Sequence, residues 1–175
     1  MYKDYENKRI VLINPNASDL LPQRRWSKDK YVALTKMILE KYEDVLVLIT
    51  GAIGEKKEAE SLLKQIDMDR CINFAGILHL TELTSLYSIS TLMVTNDSGP
   101  AHFASVTNMS TIVIFGPETP ALYGSLGPST PIYAGLLCSP CVNAYNHRKT
   151  PCKNNVCLKV IGTEEVFKEV VKRLK

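Results

Sequence analysis

The features that this 175-residue sequence lacks narrow its class before any motif is considered. It has no apolar segment near its start, so we expect no signal peptide, and no apolar run approaches the ~18 residues that predict a membrane span. Glycine and proline number only nine each, which argues against a linker or low-complexity chain. The absence of internal repeats excludes a repeat array. These absences favour one globular domain over residues 1–175.

Two further absences concern binding chemistry. The net charge is only +3 and the sequence pI is near 8.5, so the composition gives no indication of a nucleic-acid partner. The sequence contains neither the phosphate loop G-x-x-x-x-G-K-[ST] nor the dinucleotide fingerprint G-x-G-x-x-G, and the nucleophile elbow G-x-S-x-G is also missing. A P-loop NTPase, a typical dinucleotide-dependent enzyme and an α/β hydrolase are therefore not indicated.

Charged side chains are scarce in the middle of the chain. From residue 71 to residue 147 there is no Lys or Arg, and the charged residues in that stretch are Glu82, Asp97 and Glu118. The segment 138–175 carries eight Lys or Arg and three Glu. A near-neutral middle followed by a basic end indicates a buried core region with a solvated or docking end.

Apolar runs of strand length alternate with segments of helical periodicity. We predict strands at residues 9–14, 45–50, 72–74, 91–95 and 111–115, with helices after Ser27, after Gly54, at 80–88, near 99 and at 163–175. This alternation predicts an α/β fold, a Rossmann-like parallel sheet with helices on both faces. Ligands of such sheets bind outside the carboxyl ends of the strands, so each strand-to-helix turn is a candidate site.

The turn after the predicted fourth strand contains the largest number of residues suited to binding an anion. Ser98 or Gly99 can cap the helix that Pro100 opens, and free N–H groups at a helix start bind anions. Asp97 needs a partner if it is buried, and His102 lies about one turn further on, where it can point at the same anion. The alternative is that Asp97 is a simple cap and His102 a core residue with its own partner.

A phosphate at that turn also requires a fixed cation, and the first turn offers two, Arg24 and Arg25. Arg24 lies beside the expected end of the sheet, and arginine suits bidentate contact with phosphate. Glu55, after the second strand, can accept hydrogen bonds from ribose hydroxyls. The alternatives are that Arg24 is simply solvated and that Glu55 is a first-turn residue favoured by the helix dipole.

These segments, taken in order, resemble glycosyltransferase family nine, which comprises the ADP-heptose:lipopolysaccharide heptosyltransferases and their relatives. The order and spacing match from about residue 9 to the end, and Asn-Asp-Ser-Gly-Pro-x-His is the most specific element. Two positions depart from the family pattern: Ser27 replaces a proline and Ala101 replaces a common methionine. The matching segments are Asn14-Pro15-Asn16-Ala17-Ser18, Arg24-Arg25-Trp26, Gly51-x-x-Gly54-Glu55, Phe74-Ala75-Gly76, Asn96-Asp97-Ser98-Gly99-Pro100-Ala101-His102, Phe115-Gly116-Pro117 and Cys138-Ser139-Pro140-Cys141.

The resemblance implies a GT-B architecture, of which this chain corresponds to the C-terminal, donor-binding half. It also implies an ADP-sugar-type nucleotide-sugar donor, while no cofactor is firmly implied. By position, Arg24 corresponds to the family's cation on the donor phosphates and Glu55 to its glutamate near the donor ribose. The full set of donor-binding residues that the resemblance implies is Ser18, Arg24, Glu55, Asp97, Ser98, Gly99 and His102.

The resemblance further implies that the acceptor, a glycolipid or saccharide, is presented by an N-terminal domain that this sequence does not contain. The catalytic base is expected in that missing domain, so no catalytic residue is assigned, and the isolated chain is expected to be inactive. The expected setting is lipopolysaccharide biosynthesis in the cytoplasm, with at most peripheral association with the inner membrane.

Three functional interpretations stay open at this point. The chain is either the donor half of a sugar transferase, as a fragment or as one part of a split enzyme, or a non-catalytic nucleotide-binding or partner-docking module. A sugar-nucleotide epimerase shares the architecture and is the third alternative. An acceptor-binding domain encoded nearby would favour the first.

Four of the five cysteines, all but Cys71, lie in one segment, a Cys-rich loop expected over residues 138–157. Cys138, Cys141, Cys152 and Cys157 could hold tetrahedral zinc, but their spacing matches a zinc ribbon only in part. A disulfide and free thiols are the alternatives, and we expect no bound zinc. Cys71, at a strand start, is predicted to be a core residue. Five cysteines without a secretory signal indicate a reducing compartment.

Overall fold

The computed structural model describes residue 5 and residues 7–175, and it contains one six-stranded sheet. The strand order is β3-β2-β1-β4-β5-β6, and every neighbouring pair is parallel. This is the doubly wound Rossmann order, in which the chain direction across the sheet reverses between β1 and β4. The strands are β1 Arg9–Asn14, β2 Val45–Ile49, β3 Cys71–Asn73, β4 Leu92–Asn96, β5 Ser110–Phe115 and β6 Ser129–Tyr133.

Helices cover both faces of the sheet, as the alternation predicts. The longer helices α1, α2 and α7 cover one face, on which alternate strand residues such as Val11, Val47 and Val94 are buried. Helices α3 and α4 cover the other face, on which the strand residues Leu12, Leu48 and Met93 are buried. The helices are α1 Lys28–Lys41, α2 Lys56–Ile66, α3 Leu83–Ile89, α4 Gly99–Ala104, α5 Pro120–Tyr123, α6 Val156–Lys159 and α7 Thr163–Arg173.

The predicted strands all form, with bounds that shift by one residue at β2, β3, β4 and β5. The predicted helix at 80–88 is wrong in its first turn, because Leu80–Glu82 form a 3-10 turn before α3 begins. The terminal helix ends two residues before the end of the chain, at Arg173. Ser27 occupies the position before α1 without donating or accepting a side-chain capping bond.

The sequence pattern misses β6 and the short helices α5 and α6. Strand β6 lies at the edge of the sheet, contains Pro131, and buries only Ile132. Proline is confined to edge strands and bulges because it cannot donate to the ladder, so the segment does not read as a strand. Within residues 5 and 7–175, no helix is long and apolar enough to cross a bilayer.

Candidate ligand-binding site

A cavity of about 700 Å³ opens at the carboxyl ends of β1 to β4. Its lining comes from the turns that follow these four strands, so it lies at the point where the strand order reverses, where ligands of this fold bind. The floor is polar, with Asn14, Asn16 and Thr50. One wall is apolar and is formed by residues of the β3–α3 connection, α3 and α4: Phe74, Ile77, Leu78, Leu80, Leu83, Leu86, Tyr87 and Phe103.

Glycine allows the second turn to approach the first. A Cβ at Gly51 would come within 2.8 Å of both Asn16 Nδ2 and Glu55 Oε2, so a side chain here would push these two groups apart. The Gly99 position differs, since a Cβ there would meet no heavy atom within 4 Å. Any group added at Gly99 would therefore occupy the space of the cavity that Gly99 lines.

Four of the seven residues expected to bind a donor line this cavity: Ser18, Glu55, Ser98 and Gly99. Glu55 Oε2 accepts a hydrogen bond from the Ala52 N–H at 2.6 Å, which fixes the carboxylate at the rim. The N–H groups of Ser98 and Gly99 donate to no backbone carbonyl in the part of the chain described. The helix that follows, α4, has only six residues, so these N–H groups, rather than a large helix dipole, would attract an anion.

Arg24 and Asp97 lie in a charged cluster rather than in the cavity lining. Glu118, which follows β5, is fully buried. Its Oε2 accepts from Arg24 Nη1 at 3.4 Å, and its Oε1 accepts from Arg148 Nε and Nη2 at 2.9 and 2.6 Å. Two buried atoms in the described structure have no hydrogen-bond partner, and both belong to this cluster: Arg24 Nε and Asp97 Oδ2. Buried polar groups are almost always paired, so the unpaired atoms set this cluster apart from the rest of the described structure.

The same cluster changes the acidity of Asp97. Burial, followed by the nearby Glu118 carboxylate, raises the pKa of Asp97 from 3.8 to about 7, while Arg24 and Arg148 act in the opposite direction. The cluster therefore holds two guanidinium groups against fewer than two full negative charges near neutral pH, which leaves it net positive.

The position of His102 decides against one of its two sequence interpretations. It is exposed on α4 and is absent from the cavity lining, so the alternative of a buried core histidine is wrong. Its role toward a ligand stays a prediction.

Asn96, at the end of β4, connects the turns around the cavity. Its Oδ1 accepts from the Trp26 N–H at 2.9 Å and from the Tyr31 hydroxyl at 3.1 Å. Its Nδ2 donates to the carbonyls of Pro15 and Asn16 at 2.8 and 3.3 Å. One fully buried amide thus joins the turn after β1, the start of α1 and the end of β4.

Asn14, Asn16 and Thr50 line the cavity and Glu118 and Arg148 belong to the charged cluster, but none of the five is among the donor-binding residues named from the sequence. The sequence does draw attention to Glu118, because it is one of three charged residues between positions 71 and 147. No sequence pattern points to Arg148, since it lies in the Cys-rich loop, 30 residues further along the chain than Glu118.

The cysteines of that loop are free thiols, and Cys71 is buried as predicted. Backbone N–H groups of Asn155 and Asn154 lower the pKa of Cys152, whereas burial raises the pKa of Cys157. Across the described residues, no three His, Cys, Asp or Glu side chains are grouped as metal ligands.

The strand order and the cavity at the reversal point define a Rossmann-like α/β unit. The chain belongs to glycosyltransferase family 9: the model of that family, described as "Glycosyltransferase family 9 (heptosyltransferase)", matches residues 2–151. This confirms the resemblance inferred from the sequence motifs.

Individual relatives agree with this assignment. Lipooligosaccharide heptosyltransferase 2 of Campylobacter jejuni subsp. jejuni is 27% identical over 173 residues, which cover 94% of this chain and 51% of that protein. The structure of E. coli ADP-heptose lipopolysaccharide heptosyltransferase II has a TM-score of 0.76 at 22% identity, covering 97% of this chain and 47% of that one. An E. coli heptosyltransferase solved with ADP gives 0.70 at 14% identity, covering 97% and 45%. The chain spans about half the length of these relatives, and its fold is that of one half of a GT-B heptosyltransferase.

Proposed function

We propose that this chain binds the nucleotide-sugar donor of a sugar transferase similar to the heptosyltransferases of lipopolysaccharide core synthesis. The observation that supports this most is the cavity at the strand-order reversal, which Ser18, Glu55, Ser98 and Gly99 all line. Its size is within the range of small-molecule sites. A related E. coli heptosyltransferase has been solved with ADP, which makes an ADP-type donor the first candidate.

In this proposal, the different surfaces of the cavity meet different parts of the donor. The apolar wall around Phe74 and Tyr87 takes the base, and Glu55 accepts hydrogen bonds from ribose hydroxyls. The N–H groups of Ser98 and Gly99 bind the diphosphate, and Arg24 uses its unpaired Nε and its remaining donors to reach the same group. Asp97 Oδ2 then accepts from a hydroxyl of the transferred sugar.

Such an arrangement would assist transfer by stabilising the leaving diphosphate. Charge develops on the diphosphate as the glycosidic bond breaks, and fixed N–H dipoles and a guanidinium lower the free energy of that state. A base must also remove the proton of the acceptor hydroxyl. We propose that this base, and the glycolipid or saccharide acceptor, belong to an N-terminal half like that of the full-length relatives.

We also propose that the protein works in the cytoplasm. The five cysteines are free thiols in the structure, and free thiols persist in compartments kept reducing. Contact with a membrane, if the acceptor is a glycolipid, would be peripheral.

The test is a thermal-shift panel of ADP, UDP, GDP and their sugars on the 175-residue chain. A ligand at 100 times its dissociation constant adds about 2.7 kcal/mol to the free energy of unfolding, which shifts the melting temperature by several degrees. We expect the ADP compounds to give the largest shift. If no nucleotide or nucleotide sugar moves the melting temperature at millimolar concentration, the proposal is wrong.

A further inference from the structure

The contact between Arg24 and Glu118 is weak for a buried ion pair. The Nη1–Oε2 distance is 3.4 Å, which is longer than a usual charge-assisted hydrogen bond. Arg24 Nε has no partner although it is buried, and Glu118 is the only described group that accepts from the Arg24 side chain. Arg24 therefore lies near Glu118 but makes only one long hydrogen bond to it, and its Nε stays available to another acceptor.

Arg148 holds the same carboxylate much more firmly. Its Nε and Nη2 donate to Glu118 Oε1 at 2.9 and 2.6 Å, and this is the oxygen that Arg24 does not use. The guanidinium carbon of Arg148 also lies 5.0 Å from the centroid of the Tyr123 ring, a cation–π contact. Glu118 therefore keeps a strong counter-ion even when Arg24 turns away from it.

The loop that carries Arg148 is hydrogen-bonded to the backbone of Pro117, the residue before Glu118. The N–H groups of Cys141 and Val142 both donate to the Pro117 carbonyl, at 2.9 and 3.0 Å. Asn143 and Asn146 accept from each other's N–H groups at 3.0 and 3.1 Å, which closes the turn before Arg148.

Arg148 itself has a backbone φ of 56°. The preceding His147 has a similar φ of 54°, and the Arg148 N–H donates to the Asn143 carbonyl at 3.0 Å, so both residues belong to the turn that reverses the loop. The loop thus orients the Arg148 side chain onto Glu118.

We propose that Arg148 is a positioning residue for donor binding: it keeps the buried Glu118 carboxylate paired, so that Arg24 is free to contact the donor diphosphate. This inference rests on the proposed function. Without Arg148, Glu118 would be a buried carboxylate with Arg24 as its one cation, and it would compete with the diphosphate for that guanidinium. The effect of Arg148 on diphosphate affinity must therefore depend on Arg24.

This dependence can be measured with a double-mutant cycle, using calorimetric titration of ADP and adenosine into the full chain. Arg148→Ala should weaken ADP about fivefold or more, a coupling typical of groups in one charged network, and should change adenosine affinity less than about twofold. In the Arg24→Ala background, Arg148→Ala should have less than about a twofold effect on ADP. Lys149→Ala removes the same charge one residue further along, from an exposed side chain, and should leave ADP affinity unchanged within about twofold.

Arg148→Lys provides a second variant if the alanine variant does not fold. Lysine keeps the charge but cannot form the two-nitrogen contact, so a smaller loss of about two- to threefold is expected, again only when Arg24 is present. An equal loss with and without Arg24 would mean that Arg148 acts through its long-range charge, and no loss would mean that it does not act at all. Either result overturns the inference while the proposed function stands. If the wild-type chain binds neither ADP nor adenosine, the proposed function fails and this inference fails with it.

Discussion

At the scale of single residues, Gly99 gives the most direct test of the cavity. Gly99→Val places a branched side chain where a Cβ meets no heavy atom within 4 Å, so the fold should tolerate it while the space for a diphosphate is lost. We expect ADP affinity to fall at least about 100-fold, with a melting temperature within a few degrees of wild type. Gly162→Val is the matched control, because Gly162 also has open space around it and does not line the cavity. A folded Gly99→Val variant that binds ADP normally would remove this turn from the site.

Asp97 predicts a dependence of stability on pH. Its pKa is about 7 in the folded chain and 3.8 ordinarily, so the folded state binds more protons than the unfolded state between these values. The free energy of unfolding from this group therefore falls as the pH rises from about 4 to 7. Asp97→Asn removes that loss, so the variant should gain at least about 1 kcal/mol relative to wild type on going from pH 5 to pH 8, since one pKa unit corresponds to about 1.4 kcal/mol. Urea unfolding of both proteins at the two pH values measures the difference, and a constant difference would contradict the raised pKa.

The same residues show what a sequence can predict about a site. Ser18, Glu55, Ser98 and Gly99 follow predicted strands, and the carboxyl ends of parallel strands meet at one edge, so their common location at the cavity follows from the alternation pattern. The Glu118–Arg148 pair does not follow from it. Arg148 lies in a loop without periodicity, and only the folded loop brings it to the end of β5.

At the scale of elements, the Cys-rich loop carries a prediction about metal content. In the structure Cys138 is exposed and Cys157 is buried, and Cys141 and Cys152 accept weak hydrogen bonds from Thr150 and Asn155. The charges of Cys138, Cys141 and Cys152 all reach Cys157, yet among the described residues no three His, Cys, Asp or Glu side chains are grouped as metal ligands. We expect less than about 0.2 equivalents of zinc or iron by elemental analysis, and a melting temperature that a chelator leaves unchanged. A stoichiometric metal signal, together with destabilisation by the chelator, would overturn this expectation.

The elements also show where sequence patterns fail. Helices cover both faces of the central strands, and the sequences of β1, β2, β4 and β5 are therefore nearly continuous apolar runs. These apolar runs are the pattern that predicts the four strands. Strand β6 has a neighbour on one side only and buries a single residue. Its pairing with β5 stabilises it, and that contact leaves no pattern in its own five residues.

At the scale of the whole molecule, the proposed function predicts binding without transfer. Among the described residues, the carboxylate that lines the cavity is Glu55, which accepts from the Ala52 N–H, while Glu82 accepts from the N–H of the lining residue His79 and Asp97 and Glu118 lie beside the arginines. In the proposed function Glu55 and Asp97 meet the donor, whereas the base must face the acceptor hydroxyl. We expect the 175-residue chain to bind a nucleotide sugar and to give no acceptor-dependent product.

Transfer should appear when an N-terminal half is supplied, in the same chain or as a separate protein. Mass spectrometry of the glycosylated acceptor distinguishes true transfer from slow hydrolysis of the donor, which serves as the control reaction. Robust transfer by this chain alone would show that the base lies among its own residues.

The buried amide of Asn96 has a consequence for the motion of the site. Trp26 lies in a connection between elements, where amide protons usually exchange with solvent within seconds, yet its N–H donates to Asn96 at the end of a central strand. The Asn96 side chain that accepts this bond is itself fixed by three further hydrogen bonds, to Tyr31, Pro15 and Asn16. The Trp26 amide should therefore exchange hydrogen for deuterium as slowly as the amides of β4, and only by the same large-scale opening. The turns after β1 and β4, which Asn96 joins, would then be rigid before any ligand arrives, and no slow rearrangement of these two turns would limit association.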